Sequence, residues 1–133
     1  MSDYNNSVIQ KFRDNAGQLP DDFQFPVLLL HTVGKRSGEP RINPVAYLPD
    51  GDRYLVFASA AGADAHPAWY HNLVARPTAQ IEVGTETFDV NVAELQGAER
   101  DRVYQIQAEK YENFAEYTRK TTRTIPVVAL TRV

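Results

Sequence analysis

Seven residues, Val27-Leu28-Leu29-Leu30-His31-Thr32-Val33, stand between Pro26 and Gly34 without one acidic or basic carbon chain among them other than a single imidazole. A run this short, fenced by a proline and a glycine, reads as a strand rather than a helix, and its continuous apolar character predicts burial on both faces. A strand covered on both sides has to sit in a sheet that closes on itself or is overlaid by other elements. That requirement shapes the reading of everything that follows.

Downstream of the run the chain supplies more strands. Residues 41–48 form a second one, interrupted by Pro44, whose missing N–H implies an edge or a bulge at that point. Pro49-Asp50-Gly51-Asp52 is a reverse-turn signal, and residues 54–59 continue as a third strand, giving a three-strand meander. Residues 78–83 alternate, with Ala79, Ile81 and Val83 on one face, and Phe88, Val90 and Val92 repeat the pattern after Gly84-Thr85. Residues 125–130 close the set. Helices are expected at residues 3–16, capped by Asp3 or Ser7 with Ser7 and Gln10 spelling a capping box, and from Pro67 to Arg76-Pro77. A third spans 98 to about 117, with Val103, Ile106, Tyr111, Phe114 and Tyr117 as inward positions. Residues 18–26 read as an extended connector, and the first helix is expected to seal a barrel end. The sum is a mainly β fold: about six antiparallel strands and three helices in a closed or nearly closed small barrel.

Between the first two strands lies Gly34-Lys35-Arg36-Ser37-Gly38-Glu39-Pro40-Arg41, a turn carrying three cations, one hydroxyl and one opposing carboxylate. Arg grips phosphate or carboxylate with two parallel hydrogen bonds, Lys adds a point charge, and glycines let a ligand approach the main chain. Taken alone, the turn equally describes a solvated hairpin tip. The formal net charge of −3 makes the basic character local, which excludes general nucleic-acid binding and points to a small ligand. Trp69, Tyr70, His71 and Asn72, near the start of the second helix, offer flat aromatic faces and backbone donors, although an aromatic stripe by itself is ordinary core.

Other chemistry is excluded or weak. The 133 residues contain no cysteine, which removes disulfides, thiolate catalysis and cysteine metal sites. His31, His66 and His71 lack partners at metal-ligand spacing, so no metal is expected. There is no nucleophile elbow, phosphate-binding loop or dinucleotide fingerprint. A single domain over 1–133 is expected, with no export signal and no transmembrane helix, hence a cytoplasmic protein. If the chain is an enzyme, a bound cofactor must carry the reaction.

Four motifs occur in order: LLLHTVGKRSGEPRINP, then DGDRY, then HPAWYHNL, then TRTIPVV. Together they resemble the deazaflavin-dependent nitroreductase family, small quinone reductases that use coenzyme F420, over roughly residues 23–133. The resemblance implies an FMN-binding-like split β-barrel holding a reduced deazaflavin that passes hydride to a quinone or nitroaromatic acceptor. The phosphate and oligoglutamate of the cofactor would meet Lys35, Arg36, Ser37 and Arg41. Ile42, Asn43, Pro44, Val45 and Ala46 would line the strand beneath the ring with main-chain contacts, Phe57, Ala58, Ser59 and Ala60 would do likewise from the next strand, and Ala68, Trp69, Tyr70, His71 and Asn72 would meet the phosphate or ring edge. Tyr117, as the catalytic candidate, would hydrogen-bond the reduced acceptor or pass it a proton.

The chain departs from nitro-reducing members at Ala60, where they carry a lysine, and at Phe114, where they carry a tyrosine. Retained cofactor binding with altered acceptor choice is the expectation. At most weak membrane association and a homodimer are expected of the chain's surface. The alternatives left open are an FMN-dependent oxidoreductase, a non-catalytic deazaflavin or tetrapyrrole carrier, and a barrel that contacts lipid.

Overall fold

The computed structural model describes residues 3–18 and 26–133, with Asp3 and Tyr4 as backbone only, so most of the connector expected at 18–26 lies outside the described residues. Six strands form a closed antiparallel barrel: β1 (Val27–Val33), β2 (Pro40–Asp50), β3 (Arg53–Phe57), β4 (Thr78–Val83), β5 (Glu86–Glu94) and β6 (Val127–Arg132), in the order β1-β2-β3-β6-β5-β4. β1 to β3 form the expected meander and β4-β5 the expected hairpin. The last strand enters between β3 and β5, pairing Tyr54 with Leu130 and Val92 with Leu130.

Alternation along each strand divides the core in two. Leu28, Leu30, Val45, Val56, Ile81, Phe88, Val90, Val128 and Leu130 fill the barrel. Their neighbours Leu55, Phe57, Val127 and Ala129 point outward into a second cluster with Val103, Tyr104 and Phe114. The outward Leu29 packs with Ile9, Phe12 and Ile42. β1 is thus buried on both faces, as its composition demands.

Four α-helices surround this barrel among the described residues, rather than three. α1 (Asp3–Asp14) buries Val8, Ile9 and Phe12 as expected. Each such side chain contributes about 1.5–3 kcal/mol. However, α1 covers the outer face of β1 and β2 instead of sealing an end, because Leu29 and Ile42 are outward positions. The helix also includes Ser7, so that residue caps nothing; Gln10 Nε2 instead donates to Asp14 Oδ1 at 2.8 Å. α2 (Ala68–Val74) carries Leu73 into the interior cluster and packs against β1 and β5, which makes it the barrel's plug.

The third expected helix is two: α3 (Gly97–Lys110) and α4 (Glu112–Lys120), broken by Tyr111 in an extended conformation (φ −135°, ψ 114°). On α3, the buried positions are Val103, Tyr104 and Gln107, while Ile106 is 41% exposed, contrary to its expected inward place. The break re-aims α4 so that Phe114 is buried against Phe57 and Tyr104.

β2 pairs with β1 through residues 40–46 but with β3 only through residues 47–50. Among the described residues, the stretch before Tyr47 therefore has a strand on one edge alone, and the barrel splits there. Pro44 occupies that stretch opposite Leu29, where a residue without an N–H does least harm.

Candidate active site

The turn between β1 and β2 is tied by its own main chain: Gly34 N donates to Glu39 O (2.8 Å) and Gly38 N to Gly34 O (2.9 Å). Ser37 Oγ accepts from Glu39 N at 3.2 Å, and it packs so closely over Gly34 that a Cβ at that position would come within 2.4 Å of it. A side chain at Gly34 would displace the Ser37 hydroxyl from its bond to Glu39 N. The turn is held against α2 by Asn72, whose Oδ1 accepts from the Lys35 main-chain N–H at 2.9 Å across 37 residues of sequence.

Between the two segments is a cavity of about 640 Å³ lined by Gly34, Lys35, Arg36, Ser37, Arg41, Ala68, His71 and Asn72. Three cationic residues line it, and Glu39 pairs with one of them, 3.5 Å from Arg41 Nη1 and 67% exposed. A surface pair of that length holds Arg41 weakly and leaves it available to a stronger anion. α2 itself spans seven residues, so its contribution here comes from Asn72 and His71 side chains more than from a helix dipole.

One residue further along α2, Trp69 lines a second cleft of about 200 Å³ with Pro44, Val45, Ala46, Phe57, Ser59, Ala60, Ala61, Phe114 and Tyr117. It lies where β2 and β3 part. Its walls are apolar and aromatic: Phe114 packs edge-to-face on Phe57 (5.5 Å) and on Tyr117 (5.2 Å). The Tyr104 hydroxyl, buried behind it, donates to Phe114 O at 2.7 Å and fixes the start of α4; burial pushes this phenol up to about 12.

Most of the candidate residues meet at these two cavities. Lys35, Arg36, Ser37, Arg41, Ala68, His71 and Asn72 gather at the cationic one, and Pro44, Val45, Ala46, Phe57, Ser59, Ala60, Trp69 and Tyr117 at the aromatic one. Four do not line either. Ile42 packs under α1, because its side chain is outward in β2. Asn43 lies opposite Leu30 in the ladder with β1. Ala58 is fully buried, with its carbonyl accepting from Arg123. Tyr70 turns to the other side of α2, where its hydroxyl donates to both carboxylate oxygens of Glu94 (2.9 and 3.0 Å). Burial first, and then Glu94, push Tyr70 up to about 12, so it stays a neutral phenol.

The candidate residues do not include Ala61, Phe114 or Arg123, although Phe114 stands where nitro-reducing members carry a tyrosine. Phe114 was visible as a helical aromatic. Ala61 owes its place to an unusual backbone, since Ala60 and Ala61 both have positive φ (47° and 53°), which no alanine announces in sequence.

The chain as a whole is similar to known proteins. The family model for F420H(2)-dependent quinone reductases matches residues 5–132. An F420H(2)-dependent quinone reductase of Mycobacterium tuberculosis is 44% identical over 110 residues, covering 80% of this chain and 74% of that protein. A solved F420H2-dependent reductase, FDR-A, is 36% identical with a TM-score of 0.70, over 79% of this chain and 93% of its own. A chain solved as a domain-swapped dimer is 30% identical with a TM-score of 0.73, over 94% of each.

Proposed function

The chain belongs to the F420H2-dependent quinone reductase family, and we propose that it divides the work of that activity between the two cavities on either side of the first turn of α2. The cationic cavity takes the anionic tail of the cofactor, and the aromatic cleft takes the ring and the acceptor. The observation that carries this reading is the adjacency of Ala68 and Trp69, one lining each cavity, so that a single ligand with a charged tail and a flat head can reach both.

When bound, the reduced deazaflavin supplies a hydride to an electron-poor acceptor; quinones are the first choice and nitroaromatics a secondary one. The chain's own residues bind and orient. Lys35, Arg36 and Arg41 neutralise the tail, with Ser37 as an added donor. Main-chain groups of β2 before Tyr47, free of a strand on one edge, are available to the ring. Trp69, Phe57 and Phe114 exclude water and hold the stacking geometry, which is where most of the acceleration in such a site resides. Tyr117 lines the cleft and would hydrogen-bond the acceptor oxygen as it gains charge. A second copy of the chain belongs to the proposal, supported by the domain-swapped dimer among its structural neighbours.

Titration with oxidised F420, FMN and haem, followed by fluorescence or absorbance, tests the assignment. F420 alone should bind in the micromolar range, and F420H2 should be oxidised when a naphthoquinone is added. Preferential binding of FMN, or tight F420 binding without quinone-dependent oxidation, would refute it.

A further inference from the structure

We propose that Arg123, from the segment joining α4 to β6, is a positioning residue that sets the shape of the aromatic cleft by clamping the loop at residues 58–66. The proposal rests on assigning that cleft to the ring and acceptor. Arg123 touches neither; it acts through main-chain carbonyls.

The loop leaves β3 after Phe57 and has to turn sharply to reach α2. Ala60, Ala61 and Gly62 adopt positive φ in succession (47°, 53° and 82°). For alanine this conformation crowds Cβ against the next carbonyl, so the surrounding structure must impose it. Arg123 does so with all three nitrogens of its guanidinium. Nε donates to Ala63 O (2.7 Å), Nη2 to Ser59 O (2.8 Å), and Nη1 to Ala58 O (3.1 Å) and to His66 Nδ1 (2.8 Å). One planar fork thus meets three carbonyls of the bend, adding to the bend's own main-chain bonds from Gly62 N to Ser59 O (2.9 Å) and from Ala63 N to Ala60 O (3.0 Å). A lysine, whose donors radiate from a single atom, cannot span those carbonyls.

The loop's other side is the cleft wall formed by Ser59, Ala60 and Ala61. Gly62 sets how near that wall comes to α4: a Cβ there would lie 3.3 Å from the Tyr117 Cα and 3.0 Å from the Lys120 side chain. The clamp thereby fixes the separation between the wall and Tyr117. Its fourth partner makes it sensitive to protons. His66 accepts at Nδ1 and so is neutral while the clamp is closed; a second proton removes the acceptor and places two cations together. Tyr70 and His71 of α2 face the His66 ring, and Glu94 of β5 and Arg123 act on its charge. Arg100 and Asp101 of α3 line a cavity of about 310 Å³ together with His66, Tyr70 and Glu94, and Asp64 acts on the Arg123 charge. Burial, Arg123 and His71 oppose protonation, and Glu94 favours it; the balance holds His66 below its ordinary value.

The test uses the full chain with Arg123→Lys, Arg123→Gln and His66→Gln. For the Arg123 variants, kcat/KM for a naphthoquinone should fall at least about tenfold, while affinity for oxidised F420 should fall by less, because the ring seat is disturbed but the cationic cavity that holds the tail keeps its residues. Backbone amides of residues 60–64 should exchange hydrogen faster. His66→Gln, which retains an acceptor, should keep most activity at neutral pH and lose the acid limb of the wild-type kcat/KM profile. Should Arg123→Gln fail to fold, Arg123→Lys decides. A lowered melting temperature with unchanged kcat/KM and unchanged exchange at 60–64 overturns the proposal and leaves Arg123 merely structural. A wild-type protein that neither binds F420 nor reduces quinone refutes the assigned function instead, and the exchange measurement on Arg123→Lys still judges the clamp.

Discussion

Replacing Asn72 by aspartate separates the architecture of the cationic cavity from its electrostatics. Asn72 Oδ1 accepts the Lys35 N–H that ties the turn to α2, and a carboxylate oxygen can accept the same bond. Asn72→Asp should therefore fold with near wild-type stability, whereas Asn72→Ala loses the bond, worth about 0.5–1.5 kcal/mol. The new carboxylate, however, stands on the wall that Lys35, Arg36 and Arg41 share. For a phosphate charge about 6 Å away and an effective dielectric of about 40–80, Coulomb's law gives ~0.7–1.4 kcal/mol of repulsion. That corresponds to roughly a 3- to 10-fold weaker F420 complex. The carboxylate also competes for the three cations, which pushes the effect toward the upper figure. Fluorescence titration at low and at moderate ionic strength measures it: the wild-type affinity should fall with salt, and the gap between wild type and Asn72→Asp should narrow. If Asn72→Asp bound F420 as tightly as wild type at low salt, the tail would not lie in this cavity and the division of labour between the two cavities would be wrong.

Two further outcomes follow from the geometry. Tyr117→Phe should leave F420 affinity unchanged and reduce kcat with a naphthoquinone about fivefold, the value of one lost hydrogen bond; an unaltered kcat would remove the hydroxyl from the reaction. Glu82 is held below the usual carboxylate range mainly by Arg13, which donates to it at 2.7 and 3.2 Å, and secondarily by His31 at 2.6 Å. A depressed carboxyl stabilises the fold fully above its unfolded value and loses that contribution as pH falls through its folded value. Because Arg13 is about half exposed, screening limits the effect to about 1 kcal/mol, or a few degrees in Tm for a chain of this size. Glu82→Gln should therefore melt a few degrees lower at pH 7, with the gap closing below about pH 4.5; a gap that widens in acid would contradict the assignment.

The sequence disclosed those features that depend on periodicity and punctuation. Six strands, the buried β1, the meander and the hairpin are written in alternation, glycine and proline, and the structure has all of them. The split in the barrel was hinted at by Pro44 alone, since a missing N–H marks an edge without saying how far the neighbouring strand withdraws. The sequence leaves a kink near Glu112-Asn113 open without fixing it, and the break falls at Tyr111: no glycine or proline precedes it, and the helical pattern runs on through Phe114 and Tyr117. Ile106 was misplaced for a related reason, because the faces of α3 are set by the tilt of the helix on β6, and the buried polar Gln107 takes a position that an apolar count gives to its neighbour.

The candidate site shows the same division more sharply. Cations clustered in seven residues are visible as a motif, and Lys35, Arg36, Ser37 and Arg41 do converge on one cavity. Adjacent residues of one helix turn, by contrast, face opposite ways: Trp69 enters the aromatic cleft while Tyr70 goes to Glu94, since successive positions on a helix are separated by about 100°. No reading of a contiguous motif can divide Trp-Tyr-His-Asn correctly without knowing which strand each side chain meets. Arg123 is further out of reach, because what it recognises is main-chain carbonyl oxygens, which every sequence possesses. Its four acceptors, three carbonyls and His66 Nδ1, become a set only when Ala60 and Ala61 take up left-handed conformations, in a bend that Arg123 braces together with the main-chain bonds from Gly62 and Ala63. The bend and its clamp define one another, so perturbing either one should be felt at Tyr117, on the far side of the cleft they shape.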